Sequence, residues 1–318
     1  MKRRISVCLV IVLLLVSVSS NLVAKEVQPT FSLQKLSKVE SVLYGKKNDG
    51  ALLTRVKKLE KELYGRKMSG SLIERANRIT NLVLENQPNR PSLLFTINAL
   101  EWALKQQISK GPIINRINEV EKLLLGQEQS GSISSRLGKL INYSLPDGKI
   151  KVAKVEVPNH TLVKIEFLER LSSEKLQDKE QITYRVADDL LVNGKLILPV
   201  GTKGIATVTK VEKAGFFGQD AKIKLDFNSI SFLDNTEMEL DLAEKSLAEN
   251  AENKSMKYAV GASILSTAVL GPAGVVTGFF IKGEEEVIKP NQSFFVETAR
   301  PETVLGIPVQ IGTIVSKD

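Results

Sequence analysis

A 20-residue repeat constrains this chain more than any other feature. LQKLSKVESVLYGKKNDGAL, residues Leu33–Leu52, aligns without gaps on LTRVKKLEKELYGRKMSGSL, residues Leu53–Leu72. Glu40 and Glu60, Leu43 and Leu63, Tyr44 and Tyr64, Gly45 and Gly65, and Gly50 and Gly70 coincide. INRINEVEKLLLGQEQSGSI, from Ile114 to Ile133, is a third good copy with Gly126 and Gly131 in register. IERANRITNLVLENQPNRPSL and LFTINALEWALKQQISKGPI keep the apolar spacing and lose the Tyr-Gly pair. A period this short leaves room for one small structural unit per copy.

Leu52, Val56, Leu59 and Leu63 fall at i, i+4, i+7 and i+11, the stripe of an amphipathic helix. Gly65 stands where a helix closes on a left-handed residue. Ser71 is placed to cap the next helix, with Glu74 completing a capping box. Glu60 and Glu62 beside Lys57, Lys58, Lys61 and Arg66 read as a solvated face with modest pairing. The expectation is five or six three-turn helices, each too short to bury its stripe alone, stacked or wrapped into one array. Tyr44 and Tyr64 are expected to pack over the turns, and Trp102 to lie in the core. The LYG…GSL units resemble short helical repeats in surface proteins of diderm bacteria.

A second feature is the run Tyr258–Ile281, 24 residues without a charge between Lys257 and Lys282. A stretch of ~20 apolar residues suffices to cross a bilayer core. Gly271-Pro272-Ala273-Gly274 interrupts it, since Pro removes a donor and Gly permits positive φ. That leaves arms at Tyr258–Leu270 and Val275–Ile281, each shorter than a spanning helix. Small residues on both arms permit close backbone approach. The reading is an inserted apolar helical hairpin over 257–283. Gly261, Ala262, Ser266, Gly271, Pro272, Gly274, Gly278, Phe279 and Phe280 would touch lipid or a second copy; burial in the protein's own core is the other reading. Phe216 and Phe217, in Gly215-Phe216-Phe217-Gly218, are a possible second apolar contact.

After Leu145-Pro146-Asp147-Gly148 the period changes from helical to alternating. Ala153, Val155 and Val157 alternate with charges, as do Val163, Ile165 and Phe167, Ile223, Leu225 and Phe227, and Met238, Leu240 and Leu242. Some nine half-buried antiparallel strands in a small barrel or sandwich follow. Pro158-Asn159-His160-Thr161, Pro199-Val200-Gly201-Thr202 and Pro290-Asn291-Gln292-Ser293 read as three equivalent turns feeding strands. The fold class is therefore α+β multidomain: a helical repeat domain over 25–147, then a barrel-like domain over 148–318 carrying the hairpin.

VPNHTLVKIEF, LILPVGTKGIATV, AKIKLDFNSISFLDNTEMELD, the apolar small-residue run and VIKPNQSFFVET, in that order, resemble the C-terminal barrel of the TrbI-like family. Those proteins are outer-membrane core subunits of type IV secretion and conjugation machines. The resemblance covers Lys151–Val304 and implies that the hairpin is an antenna at the outer membrane.

Lys2-Arg3-Arg4, the apolar run Ile5–Val18 and Leu22-Val23-Ala24 read as a signal peptide over 1–24, cleaved after Ala24 or Ser20, with an uncleaved anchor as the alternative. The sole cysteine, Cys8, falls inside it, so thiol chemistry is not expected of the mature protein. From Lys25 to Asp147 there are 20 Lys/Arg against 12 Asp/Glu, and from Gly148 onward 21 against 24. The basic half suggests an anionic neighbour, such as a cell-wall polymer, a lipid headgroup or a nucleic acid. Aromatics are 5% of residues, too few for a base-stacking surface, so no nucleic acid is expected.

Catalytic residues, a metal site and a cofactor are not expected. His160 is the only histidine, so no pair of imidazoles is available to hold a metal. Asp188 and Asp189 are adjacent on a strand-like run and would face opposite ways. The expectation is a non-enzymatic exported protein of the periplasm or outer membrane. It would be membrane-associated or self-associating through the hairpin, and tethered to the wall through its basic helices. The alternative is a secretion-channel component; a wall-modifying enzyme has no motif behind it.

Overall fold

The 20-residue period becomes six consecutive helices: α1 (Leu33–Tyr44), α2 (Leu52–Tyr64), α3 (Leu72–Leu84), α4 (Leu93–Lys105), α5 (Ile113–Leu125) and α6 (Ile133–Ser144). They come from a computed structural model that describes residues 32–87, 90–145, 147–213, 221–252, 278–280 and 287–309. In α2, Val56, Leu59 and Leu63 of the apolar stripe are fully buried. Gly45, Gly65 and Gly126 close their helices at φ 77°, 73° and 76°. Ser71 and Glu74 form the reciprocal capping box at the start of α3. A Cβ on Gly45 would lie 3.0 Å from Pro112 Cγ at the entry to α5, and one on Gly65 would lie 3.6 Å from Ser132 Cβ at the entry to α6. Accordingly α1 packs on α3 and α5, and α2 on α3 and α6. Contact between fourth neighbours means that the array winds back on itself.

The solvated reading of Glu60 is overturned. Glu40, Glu60, Glu101 and Glu121 are at most 1% exposed. Each binds the guanidinium of an arginine 15 residues later: Arg55, Arg75, Arg116 and Arg136. The same carboxylates accept a backbone N–H eight residues on, from Asn48, Ser109 and Gln129. Arg55, Arg116 and Arg136 also donate to Ser37, Asn98 and Asn118. A buried carboxylate needs such pairing, because desolvation otherwise outweighs attraction; at Glu101 the hydrogen bonds all fall on Oε2, and Oε1 lies 3.6 Å from Lys105 Nζ. The pattern is interrupted once: where α3 should offer a glutamate it has Thr80, and where α4 should offer an arginine it has Thr96. The six helices are thus two sets of three, related by an offset of 61 residues that carries Glu40, Arg55, Glu60 and Arg75 onto Glu101, Arg116, Glu121 and Arg136.

Helix α4 differs from its neighbours in being buried on several sides, with Leu93, Phe95, Ile97, Ala99, Leu100 and Trp102 all shielded. An all-round apolar helix needs a second layer to cover it. Phe95, Ala99 and Trp102 pack on Leu196, Leu233, Leu305 and Ile307 of the strand half. Asn98 links the two systems, accepting from Arg116 at 2.7 Å and donating to the Leu233 carbonyl at 3.0 Å. Trp102 is in the core, as expected, and lies at this junction.

The strand half holds β1 (Ala153–Val157), β2 (Leu162–Phe167), β3 (Leu171–Ser172), β4 (Gln181–Val186), β5 (Leu190–Val192), β6 (Lys195–Leu198) and β7 (Lys203–Glu212). It continues with β8 (Lys222–Asp226), β9 (Ser229–Ser231), β10 (Glu237–Asp241), helix α7 (Glu244–Glu252), β11 (Gly278–Phe280), β12 (Val287–Ile288), β13 (Ser293–Thr298) and β14 (Glu302–Pro308). The larger sheet runs β11-β8-β7-β4-β2-β13-β10-β9, all antiparallel, and curls so that β9 lies against β7. A second sheet runs β1-β14-β6-β5, and β12 pairs with β3. The alternation puts Val163, Ile165, Phe167, Ile223, Leu225, Phe227, Met238 and Leu240 inside as expected. Phe167, Phe294, Phe227 and Tyr184 form a chain of aromatic contacts with centroids 5.1–5.9 Å apart. Gly204 sits opposite Tyr184 in the β4–β7 ladder, and a Cβ there would enter the tyrosine ring.

Two expectations need correction here. Gly278, Phe279 and Phe280, assigned to a helical arm, are extended and pair with Lys224, Ile223 and Lys222 of β8. The two phenylalanines suit a strand laid on an open sheet edge. The three Pro-led turns are also not in one register. The left-handed residue stands two before each strand, at His160, Gly201 and Asn291. The third proline is therefore one place closer to its strand than the other two.

Candidate functional site

The structure fixes the two roots of the apolar run, and these are built from polar contacts. At the first root, β10 pairs with β13 only through Leu240↔Thr298 and Asp241↔Glu297 before the chain turns into α7. Asn250 then takes the place of a strand residue. Its amide accepts Phe295 N–H at 2.7 Å and donates to Phe295 O at 2.8 Å, which satisfies backbone groups on the β13 edge. At the start of α7, Ser246 N–H donates to Glu297 Oε2 at 2.8 Å, and Ser246 Oγ accepts Ala243 N–H at 3.0 Å. A carboxylate from another strand thus caps the helix, where the macrodipole favours negative charge.

Glu297 is fully buried, and its other oxygen lies 3.0 Å from His160 Nδ1. His160 is held by its own N–H on Thr298 O at 2.8 Å and by Lys245 Nζ on its carbonyl at 3.0 Å. Thr298 Oγ1 donates to Pro158 O and accepts Thr161 N–H. Asp241, facing Glu297 across the ladder, has its pKa raised, first by burial and then by the charges of Asp226, Glu239 and Glu297. The cluster ties the end of β13, the β1–β2 turn and α7 together.

The second root is β11 on the edge of β8. In the order of the larger sheet, β2, β4 and β7 separate β13 from β8. The run therefore begins just beyond one fastened element and ends on another.

Gly261, Ala262, Ser266, Gly271, Pro272 and Gly274 lie outside the described residues, as do Phe216 and Phe217. Among the described residues no helix is long and apolar enough to cross a membrane. Asp188 and Asp189 take separate partners, Lys164 Nζ at 2.8 Å and Val200 N–H at 2.7 Å. Tyr44 and Tyr64 are half-buried, with Lys58 Nζ 5.1 Å from the Tyr44 ring centroid. Among the described residues no three His, Cys, Asp or Glu side chains come together to hold a metal.

Two grooves flank the junction of helices and sheet. One of about 450 Å³ is lined by Asn86, Lys154, Asp234 and Thr303, and the other, of about 380 Å³, by Trp102, Leu145, Ile150 and Ile307. Both Asp234 carboxylate oxygens are engaged by the Thr236 and Leu305 amides, so they are spent on structure. The sequence reading missed the roles of Glu297 and Asn250 entirely. No local pattern marks either, since their partners lie 51 and 45 residues away.

No family model matches the chain, and no curated protein matches it. Among solved structures, it is similar to ComB10 of the Com type IV secretion system of Helicobacter pylori. That match has 12% identity and a TM-score of 0.25, covering 46% of this chain and 88% of that one. A likeness this slight assigns neither fold nor function.

Proposed function

We propose that this chain is a non-enzymatic protein of the cell envelope, exported by its N-terminal segment and held in place by the run Tyr258–Ile281. The run associates with a membrane, the outer membrane in the first instance, or with a second copy. The basic helical array reaches an anionic wall polymer. One observation carries the reading: a charge-free stretch is bracketed by α7, fastened to β13 through Glu297 and Asn250, and by β11, paired with β8. A scaffold anchored at both roots suits presentation of an apolar element.

The test is fractionation of native cells into soluble, inner-membrane and outer-membrane material, alongside a variant with residues 258–277 replaced by a short Gly/Ser turn. That replacement spares β11. The expected outcome is a shift to the soluble fraction, or to a smaller assembly, with the strand signal unchanged. An unfolded variant would make the run ordinary core, and an unmoved one would place the anchor elsewhere. The order of motifs along Lys151–Val304 favours a second reading, a component of a type IV secretion or conjugation channel. Ring-shaped assemblies of the purified protein would favour it.

A further inference from the structure

The two three-helix sets share one skeleton and one set of buried ion pairs, so each serves as a control for the other. Their outer surfaces differ sharply in charge. In the first set one repeat position carries Lys38, Lys58 and Arg78, and the turns after α1 and α2 carry Lys46-Lys47 and Arg66-Lys67. All seven side chains are exposed, and among the described residues no salt bridge reaches any of them. The residues 61 places later are Ala99, Glu119 and Lys139, then Gln107-Ile108 and Gln127-Glu128. Leaving out Lys38, whose counterpart Ala99 is buried at the junction, six cations on one set correspond to one cation and two anions on the other.

Closing the helices does not require the turn cations. Basic residues near a helix C-terminus complement its dipole, but α5 closes on the same left-handed glycine before Gln127-Glu128. The interior arginines contribute nothing outside either, because each is neutralised by its glutamate. The excess therefore belongs to the surface of the first set.

We infer that the first helix set is the docking surface for a flexible linear polyanion bearing carboxylate or phosphate groups. This rests on the tether reading and places it on α1–α3 and their turns. A ladder of basic residues repeating every 20 residues, five lysines and two arginines, suits regularly spaced anions, and the ammonium groups act there as point charges without fixed geometry. A bilayer surface fits less well. The exposed Leu33, Leu53 and Ile73 stand five residues before Lys38, Lys58 and Arg78, which is about 140° round each helix. Apolar and basic side chains therefore do not share one membrane-facing stripe. Nucleic acid fits less well too, because the tyrosines of this set, Tyr44 and Tyr64, are half-buried and offer no stacking platform.

The experiment measures binding of the full-length mature protein to labelled sodium polyphosphate and to polygalacturonate, with phosphatidylglycerol vesicles and single-stranded DNA as comparison arms. Binding to both polymers is expected, weakening by tenfold or more between about 50 and 200 mM salt. Replacing Lys46, Lys47, Arg66 and Lys67 by Gln should lower low-salt affinity by at least about tenfold, with the circular dichroism spectrum unchanged. Placing Glu119→Lys, Gln127→Arg and Glu128→Lys on the second set should raise affinity by about threefold or more. Polymer binding that survives the four Gln substitutions overturns the assignment and leaves the tether reading standing. No polymer binding by the unaltered protein overturns both. Tighter binding to vesicles or DNA than to either polymer overturns the assignment in favour of that partner.

Discussion

The helical array and the curled sheets both bury glutamate, and they partner it in opposite ways. In the array each of four buried carboxylates meets a guanidinium 15 residues away and, at Glu40, Glu101 and Glu121, an amide eight residues away. The amides belong to the glutamate's own copy and the guanidinium is supplied by the next one. In the sheet half Glu297 is held by a backbone amide 51 residues away and an imidazole 137 residues away, and it fixes a single helix. Local neutralisation makes a unit that can be repeated. Long-range partnering makes a joint that exists once and depends on the finished fold.

The largest expected effect tests the array side. Arg116→Ala should strip Glu101 of its guanidinium, leaving only Lys105 Nζ at 3.6 Å, and Asn98 of its donor, lowering unfolding free energy by about 3–5 kcal/mol in urea titrations. The double change Glu101→Leu with Arg116→Met should cost much less, since it leaves no charge orphaned. Equal losses would mean that the pair is held for packing, not charge. Next, Glu297→Ala should cost about 1–3 kcal/mol by uncapping α7. Its signature is faster amide exchange in α7 while α1–α6 stay protected; uniform loosening would erase the contrast.

Acid should separate the two regions. Glu60 titrates below the usual range, chiefly because Arg75 hydrogen-bonds it; at Glu101 and Glu121 burial pushes upward and is outweighed by the arginine and amide contacts. Each therefore stabilises the fold fully above the ordinary glutamate value of about 4.3, and that contribution drains away as pH falls through the lowered folded values. Asp241 has the opposite sign: its raised pKa favours the folded state as pH drops through it. Segment-resolved exchange, corrected for intrinsic rates, should show α2–α6 losing protection before β10 and β13. The reverse order would contradict the assignment of signs.

The smallest effect compares two helix ends. Gly45→Ala and Gly126→Ala both force an L-residue to φ near 75°, at about 1 kcal/mol. Gly45→Ala should cost more, because its Cβ meets Pro112 whereas that of Gly126 meets nothing within 4 Å. Equal thermal shifts would show that the winding contact between α1 and α5 gives way freely.

What was legible in the sequence followed the same division. Helix stripes, glycine closures and the Ser71 cap are local, and strand alternation is local, so all were readable. Glu60 was misread because its surroundings are basic over a helical turn, whereas its partner Arg75 stands one copy away. Aligning two copies fixes the glutamates, and following Arg55, Arg75, Arg116 and Arg136 down the same alignment would have exposed the pairing. The fate of Gly278–Phe280 was hidden for a different reason. A short apolar segment with two aromatics is compatible with helix or strand, and only the free edge of β8, more than 50 residues earlier, decides between them.

Splitting each ion pair between adjacent copies also limits how the array can change length. Excision of Leu53–Leu72 would remove Arg55 and Glu60 together and bring Glu40 to Arg75 at the original 15-residue separation. Insertion of one further copy would create one further pair and orphan nothing. A gain or loss of any number other than a multiple of twenty between a paired glutamate and its arginine would strand a buried charge. The array can therefore grow or shrink by slippage in whole units of twenty, each step neutral in its buried charge, while the single-copy joint at Glu297 has no such freedom.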